Sequence, residues 1–325
     1  MTSGTATRRV SGLDWRIEAA HGALLERLAP GTSSRRLRWS RGKTRVLEVG
    51  DGPPLVLVHG AFDNAALWAP ILAALAKSHR VLAVDLPGHG LADPFDYEAV
   101  DLATVSATFL GDVLDGLELD QVDLVGCSLG GFVTTVFALG APERVRRLVL
   151  VGAPLGVTRD VPTPLRVLGL AVKLPVAGRA LGRLALGRPT REKMRTLMGQ
   201  IAVAHPEALD DEMLDADVLC QLRNRDVHLG VLRSFGTWRG MRLRRELCLG
   251  ERWAELTVPT VFLRPERDVF VSAPVETAWA GIVERNTGIR VVHVADAGHL
   301  AWLDAPEEVA RGIENALAPD AVVVA

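Results

Sequence analysis

Apolar residues along this chain cluster in two alternating rhythms. Short solid runs at 54–58, 80–85, 122–127, 145–151, 258–264 and 289–294 have the length and the Val/Leu content of strands buried on both faces. Between them, helix-length stretches rich in apolar positions run over 65–78, 100–117, 129–139, 273–285 and 306–317. Two further strands are expected upstream, near 35–40 and 44–49. Strands separated by helices of this length pair in parallel. The pattern therefore predicts an α/β fold, a mostly parallel sheet with helices on both faces.

Two stretches break the rhythm. Residues 1–11 are expected to be disordered, after which Leu13, Ile17, Ala20, Leu24, Leu25 and Leu28 share one helical face. Asp14 is available as an early cap of that helix, and Pro30-Gly31 ends it. Between 155 and 250 no convincing strand appears, and helix-length apolar stretches are broken by Pro162, Pro164, Pro175, Pro189 and Pro206. An insertion between two strands of an open α/β sheet sits over the C-terminal strand ends, where ligands bind, so this segment reads as a lid. The expected organisation is an N-terminal segment at 1–34, a sheet domain at 35–154 and 251–325, and a helical cap at 155–250. Leu165, Val167, Leu168, Leu170, Val172 and Leu174 suggest an apolar group on the substrate, or simply the core of the lid itself. The uncharged run at 124–142 is long enough to suggest a membrane span, but it holds several glycines and a strand-to-helix change, and it reads as buried core.

Composition narrows the class of partner. A chain of 325 residues, 48% hydrophobic and 23% charged, is ordinary for a globular protein, and a net charge of −2 argues against a general nucleic-acid binder. The charge is unevenly shared: residues 1–49 carry ten Lys/Arg against four Asp/Glu, and 155–250 carry sixteen against ten, while the sheet domain is acidic. A basic lid would attract an anionic substrate or a membrane surface, or it complements the acidic body; charge runs are usually solvated faces, which favours the second reading. Cys127, Cys220 and Cys248 are odd in number and lack metal or redox spacing. The first twenty residues lack an apolar leader, so a reducing, cytoplasmic location is expected.

The chemistry concentrates at 124–131, Leu-Val-Gly-Cys-Ser-Leu-Gly-Gly, where an expected strand runs straight into an expected helix. Gly126-Cys127-Ser128-Leu129-Gly130 at such a junction is the pattern of a nucleophile elbow, whose glycines allow a serine to sit on a strained turn. Serine needs a base to take its proton and a carboxylate to orient that base. His299, in the loop after the last strand, can reach over the sheet edge, whereas His205 and His228 lie in the lid and His293 lies mid-strand. Asp268, in the loop after the 258–264 strand, suits the orienting acid, with Glu266 as its local rival. Asp296 and Asp304 lie too near His299 for that role and are expected to shape the loop or cap the last helix. Donors for a developing oxyanion are expected from the backbone N–H of Leu129 and from Ala61 after the 54–58 strand, with Phe62 as the alternative to Ala61. His59, beside Gly60, is expected to stabilise that loop. Cys127 should point to the core. Phosphate-loop, dinucleotide and His-Glu-x-x-His patterns are absent, which sets nucleotide-dependent and metal-hydrolase mechanisms aside.

Taken together, His59-Gly60, Asp85-Leu86-Pro87-Gly88-His89-Gly90, Gly126-Cys127-Ser128-Leu129-Gly130-Gly131, Arg267-Asp268 and Gly298-His299 resemble the α/β-hydrolase superfamily over roughly residues 40 to 317. The resemblance implies an eight-stranded, mostly parallel sheet, a helical cap after the sixth strand and no cofactor. It also implies Ser128 as nucleophile, Asp268 as acid, His299 as base, and Ala61 and Leu129 as oxyanion donors. Leu91 stands where a small polar residue is usual, and Pro265 where glycine is common. The expected activity is hydrolysis of a carboxylic ester, thioester or lactone of a small, largely apolar molecule. Carbon–carbon bond hydrolysis, cofactor-free perhydrolysis and a non-catalytic ligand receptor are the alternatives.

Overall fold

Six of the eight strands are the solid apolar runs. The sheet consists of β1 (Ser33–Trp39), β2 (Gly42–Val49), β3 (Pro54–Val58), β4 (Arg80–Val84), β5 (Val122–Gly126), β6 (Val145–Val151), β7 (Thr260–Pro265) and β8 (Ile289–Val294). Their spatial order is β1-β2-β4-β3-β5-β6-β7-β8. β1 pairs with β2, and β2 with β4, antiparallel; from β4 through β3 to β8 every pairing is parallel. This computed structural model describes residues 4–152, 154–159, 178–237 and 242–318.

The helices are α1 (Gly4–Leu28), α2 (Ala69–Leu75), α3 (Leu102–Gly116), α4 (Leu129–Gly140), α5 (Gly178–Leu186), α6 (Arg191–Ile201), α7 (Asp211–Phe235), α8 (Ala273–Arg285), α9 (Ala301–Asp304) and α10 (Pro306–Leu317). The expected helix at 65–78 divides into a 3-10 turn, Ala65–Trp68, and the shorter α2. Pro70 sits in the first turn of α2, where its missing N–H costs no intrahelical bond, so it starts a new helix there.

Strand periodicity builds two cores. Val56, Val58, Leu82, Leu124, Leu148 and Phe262 face one layer with α3, α4 and α8. Their neighbours Leu55, Leu57, Val81, Val125, Val149 and Val261 face the other, with α2, α10 and the C-terminal half of α1. Both layers exclude water, which is why these strands carry no alternation of polar residues.

The N-terminal region departs from expectation. Helix begins at Gly4, so residues 4–11, read as disordered, continue the amphipathic helix. Proline first occurs at Pro30, and Ala6, Arg8 and Arg9 are good helix formers, so nothing local stops the helix. Asp14 consequently lies inside α1 rather than at its cap, and it pairs with Arg223 of α7. Ile17 packs with Leu91 and Cys220 in a small cluster of its own. Arg27 adds contacts to Asp210 at 2.6 Å and Glu212 at 3.0 Å. Through these bonds α1 ties α7 to the sheet domain, and apolar Leu91 is explained by what it packs against.

The described part of the segment between β6 and β7 holds helices joined by turns and loops, with a single bridge between Gly236 and Leu243. α6 and the N-terminal part of α7 bury Met194, Met198, Met213 and Leu214 against the layer that holds Leu300 and Trp302. Farther along α7, Gln221, Asn224, Val227 and His228 touch the loops that follow β3 and β4. The apolar run 165–174 singled out above, with Arg166 and Lys173, lies outside the described residues. Some basic residues of the described part meet acids of the same segment (Arg183 with Asp226, Arg191 with Asp211 and Asp215, Arg195 with Asp211, Arg244 with Glu246), while Arg223 and Arg233 pair with Asp14 and Glu98 outside it.

Candidate active site

At the carboxyl end of β5 the chain turns through Ser128 into α4. Ser128 has φ 53° and ψ −115°, a conformation that non-glycine residues rarely adopt. The flanking glycines permit the turn by close approach. A methyl group on Gly126 would stand 2.4 Å from Thr134 Oγ1, and one on Gly130 only 2.1 Å from the carbonyl of Val58. The Ser128 carbonyl accepts from the N–H of Phe132 at 3.1 Å and of Leu155 at 2.9 Å, which fixes the turn from both sides. Cys127 is fully buried, and burial pushes its thiol well above the ordinary range, with the charges of Asp63 and Asp268 adding to the effect.

The loops after β7 and β8 bring Asp268 and His299 together. His299 Nδ1 lies 2.9 Å from Asp268 Oδ2, both side chains buried. Asp268 Oδ1 accepts the N–H of Phe270 at 2.8 Å, and the Phe270 ring lies 4.3 Å from the His299 ring. A carboxylate partner assigns the proton to Nδ1, leaving Nε2 as a bare acceptor. That Nε2 is buried and has no partner among the described residues. Glu266, the rival acid, is exposed on the surface and contributes its backbone N–H to Val294.

Several contacts hold the His299 loop. Gly152, at the end of β6, has φ 72°, and a methyl group there would stand 2.4 Å from the carbonyl of His299. Asp304 gathers the N–H groups of Gly298 at 2.8 Å, Ala204 at 2.9 Å and His205 at 2.9 Å, joining this loop to the inserted helices. Leu300 donates to Ala202 at 2.7 Å. Trp302 stacks on Trp68 at 3.8 Å and donates to the Leu67 carbonyl. Asp304 therefore shapes the loop, as expected, while Asp296 pairs with His205 and Arg267 on the surface.

The loop after β3 approaches Ser128 from the other side. A methyl group on Gly60 would lie 3.2 Å from Ser128 Cβ and 2.6 Å from Asp63 Oδ2. His59 accepts the N–H of Leu86 at Nε2, 2.9 Å, so its Nδ1 proton goes to the Gly60 carbonyl at 2.7 Å. Burial lowers the His59 pKa to about 4, and the neutral ring is a brace for this loop. Leu129 is the first residue of α4, where a backbone N–H has no acceptor within the helix. Phe62 adopts φ 70°, its carbonyl accepts from Gln221 at 2.7 Å, and its ring meets His228 edge-on.

Three features were not singled out from the sequence. Arg45 on β2 forms a buried pair with Asp85, Nε to Oδ2 at 2.8 Å, and also contacts His21 of α1 at 2.6 Å. Burial alone would raise the Asp85 pKa; Arg45 first, then His59 and the N–H groups of Ala65 and Leu91, hold it below its ordinary value. Asp63, half-buried, sits two residues past Ala61 and binds the Gly60 N–H at 3.1 Å. Asp217 is buried on α7, within reach of Asn64 at 3.3 Å. The signal for Asp217 is periodic: Asp217, Gln221, Asn224 and His228 recur at one helical face and form a polar stripe turned inward. His21 likewise interrupts the apolar stripe of α1.

Residues 55–312 match the alpha/beta hydrolase family. Alignment to an uncharacterized protein of Mycobacterium tuberculosis, 35% identical over 169 residues, covers 46% of this chain and spans only 48% of that protein. A 2-hydroxy-6-oxononadienedioate/2-hydroxy-6-oxononatrienedioate hydrolase of Cupriavidus pinatubonensis is 30% identical over 67% of this chain and 71% of its own. A pimeloyl-[acyl-carrier protein] methyl ester esterase of Photobacterium profundum is 31% identical over 70% of this chain and 92% of its own. Among solved structures, the carboxylesterase CesB of Bacillus subtilis superposes with a TM-score of 0.69 at 22% identity, covering 94% of this chain and 99% of that one.

Proposed function

Because the chain belongs to the alpha/beta hydrolase family, we propose that it is a serine hydrolase that cleaves a carboxylic ester, thioester or lactone of a small, largely apolar molecule. The observation that carries this reading is the buried His299 Nε2. It is bare because Asp268 holds the proton on Nδ1, and it lacks a partner among the described residues. In the reaction, Ser128 Oγ attacks the substrate carbonyl as its proton passes to His299 Nε2. The carbonyl oxygen becomes an oxyanion facing the N–H groups of Ala61 and Leu129. Collapse expels the alcohol, which takes the proton from His299, and leaves an acyl group on Ser128. Water then repeats the sequence and releases the acid. The segment 155–250 acts as a cap enclosing the group that the pocket receives.

A relative named as a 2-hydroxy-6-oxononadienedioate hydrolase supports a second reading, cleavage of a carbon–carbon bond beside a ketone at the same serine. p-Nitrophenyl esters of increasing acyl length, assayed beside a vinylogous diketone, separate the two. Ester turnover that depends on chain length, with the diketone left intact, is the expected result. Turnover of the diketone alone would replace the ester reading with the second.

A further inference from the structure

Two carboxyl side chains, on separate elements, meet the loop after β3, whose Gly60 packs against Ser128. Asp63 belongs to the loop after β3, and its Oδ2 and the Ser128 Cβ both crowd the bare face of Gly60, at 2.6 Å and 3.2 Å from where a methyl group would be. Asp217 descends from α7 onto the same loop, touching Asn64 at 3.3 Å, while Gln221 one turn on binds the Phe62 carbonyl at 2.7 Å. His299, 6% exposed, has an Nε2 without a partner among the described residues and lies near enough to Asp63 to lower that carboxyl's pKa. The nearby cations among the described residues are committed elsewhere: Arg45 to Asp85, and Arg223 to Asp14 and to the carbonyls of Gly90 and Ala92.

Resting on the hydrolase reading, we propose that Asp63 and Asp217 determine specificity, making the pocket reject a carboxylate near the scissile carbonyl and admit neutral or cationic groups. An anionic substrate group placed here would meet two like charges in a desolvated wall, with no described cation to offset them. The groups facing the pair come from every neighbouring element. His299 from the loop after β8, Cys127 from the end of β5 and the Gly60 N–H surround Asp63; Cys220, Gln221 and Asn64 surround Asp217.

The discrimination should depend on pH. Burial pushes Asp63 up to about 7, despite the opposing charge of His299 and the Gly60 N–H. Burial and then the repulsion of Asp63 push Asp217 up to about 7, despite Gln221 and Asn64. Both walls are thus largely neutral in mild acid and charged in mild base. p-Nitrophenyl butyrate and p-nitrophenyl hemisuccinate are similar in length and differ by one carboxylate that stays ionised across this range. At pH 8 kcat/KM for the butyrate should exceed that for the hemisuccinate by about tenfold or more. Lowering the pH to 6 should narrow the ratio, since a change in the shared catalytic groups acts on both esters and cancels. Asp217→Asn, which keeps the shape and removes the charge, should narrow the ratio at pH 8. A hemisuccinate ratio near one at pH 8, in a wild-type enzyme whose Ser128 a neutral fluorophosphonate labels, would overturn this inference and leave the hydrolase reading standing. An unlabelled Ser128 would overturn both.

Discussion

Two regions of this molecule bury aspartates, and they treat them in opposite ways. Asp85 lies against Arg45, with two backbone N–H groups on its oxygens, and its pKa falls. Asp63 and Asp217 both meet the loop after β3 with no cation paired to them among the described residues, and theirs rise to about 7. The first arrangement is a satisfied charge that joins β2, the loop after β4 and the start of the 3-10 turn. The second holds protons that can leave near neutral pH, at the loop that approaches the proposed nucleophile. A buried carboxyl is a structural pin where a cation and donors converge on it, and a chemical group where they do not.

The largest expected difference between the two regions is between folding and turnover. His299→Ala should lower ester hydrolysis on the order of 10⁴-fold, because the proposed triad acts as a unit, with little change in stability. Arg45→Met should do the reverse. Removing one partner of a buried ion pair strands the other, so stability should fall by about 3–5 kcal/mol in urea unfolding, while surviving folded molecules still hydrolyse esters. Equal loss of stability in both variants would erase the distinction.

Acidification should sharpen it. Burial lowers His21 and His89 to about 3 and His59 to about 4, and drives His228 well below its ordinary value. Between about pH 4 and 6.5 the unfolded chain therefore binds protons on these four histidines that the folded chain refuses. Asp63 and Asp217, protonated in the folded state and ionised in the unfolded one over that window, oppose but do not cancel them. Stability should rise with pH from 4 to 6.5, measured as unfolding free energy at fixed salt; a flat or falling profile would contradict the assignment. Toward the top of that window and beyond it, the two carboxyls release the protons they hold in the folded state. Asp217→Asn should gain stability relative to wild type between pH 6 and 8, by about 1–2 kcal/mol, as ionisation of the wild-type pair in the folded state becomes costly. The smallest effect belongs to the exposed pairs that fasten α1 to α7. Arg27→Ala should cost less than about 1 kcal/mol.

β3 was legible because burial on both faces removes polar residues from it, leaving the solid run 54–58; 145–151 and 289–294 also coincide with β6 and β8, although Arg146, Arg147, Arg290 and His293 interrupt them. The contact between Asp268 and His299 was legible for a related reason: strand order alone places the loops after β7 and β8 side by side. What the sequence hid are contacts made across long separations by residues without a motif. Asp63 and Asp217 are 154 positions apart, and Arg45 meets Asp85 only because β2 pairs with β4. The α7 stripe was legible in principle, but reading only apolar periodicity misses a helix that buries a polar face. The extent of α1 was missed because low hydropathy at 1–11 resembles a tail, while the helix needs only the absence of a stop signal.

The central claim is that Ser128 is the nucleophile, activated by His299. A fluorophosphonate carrying a mass tag, incubated with wild type, Ser128→Ala and His299→Ala, tests it by intact mass and peptide mapping. Wild type should carry a single adduct on Ser128, formed orders of magnitude more slowly in His299→Ala and not at all in Ser128→Ala. Labelling at another residue, or ester turnover undiminished in Ser128→Ala, would contradict it.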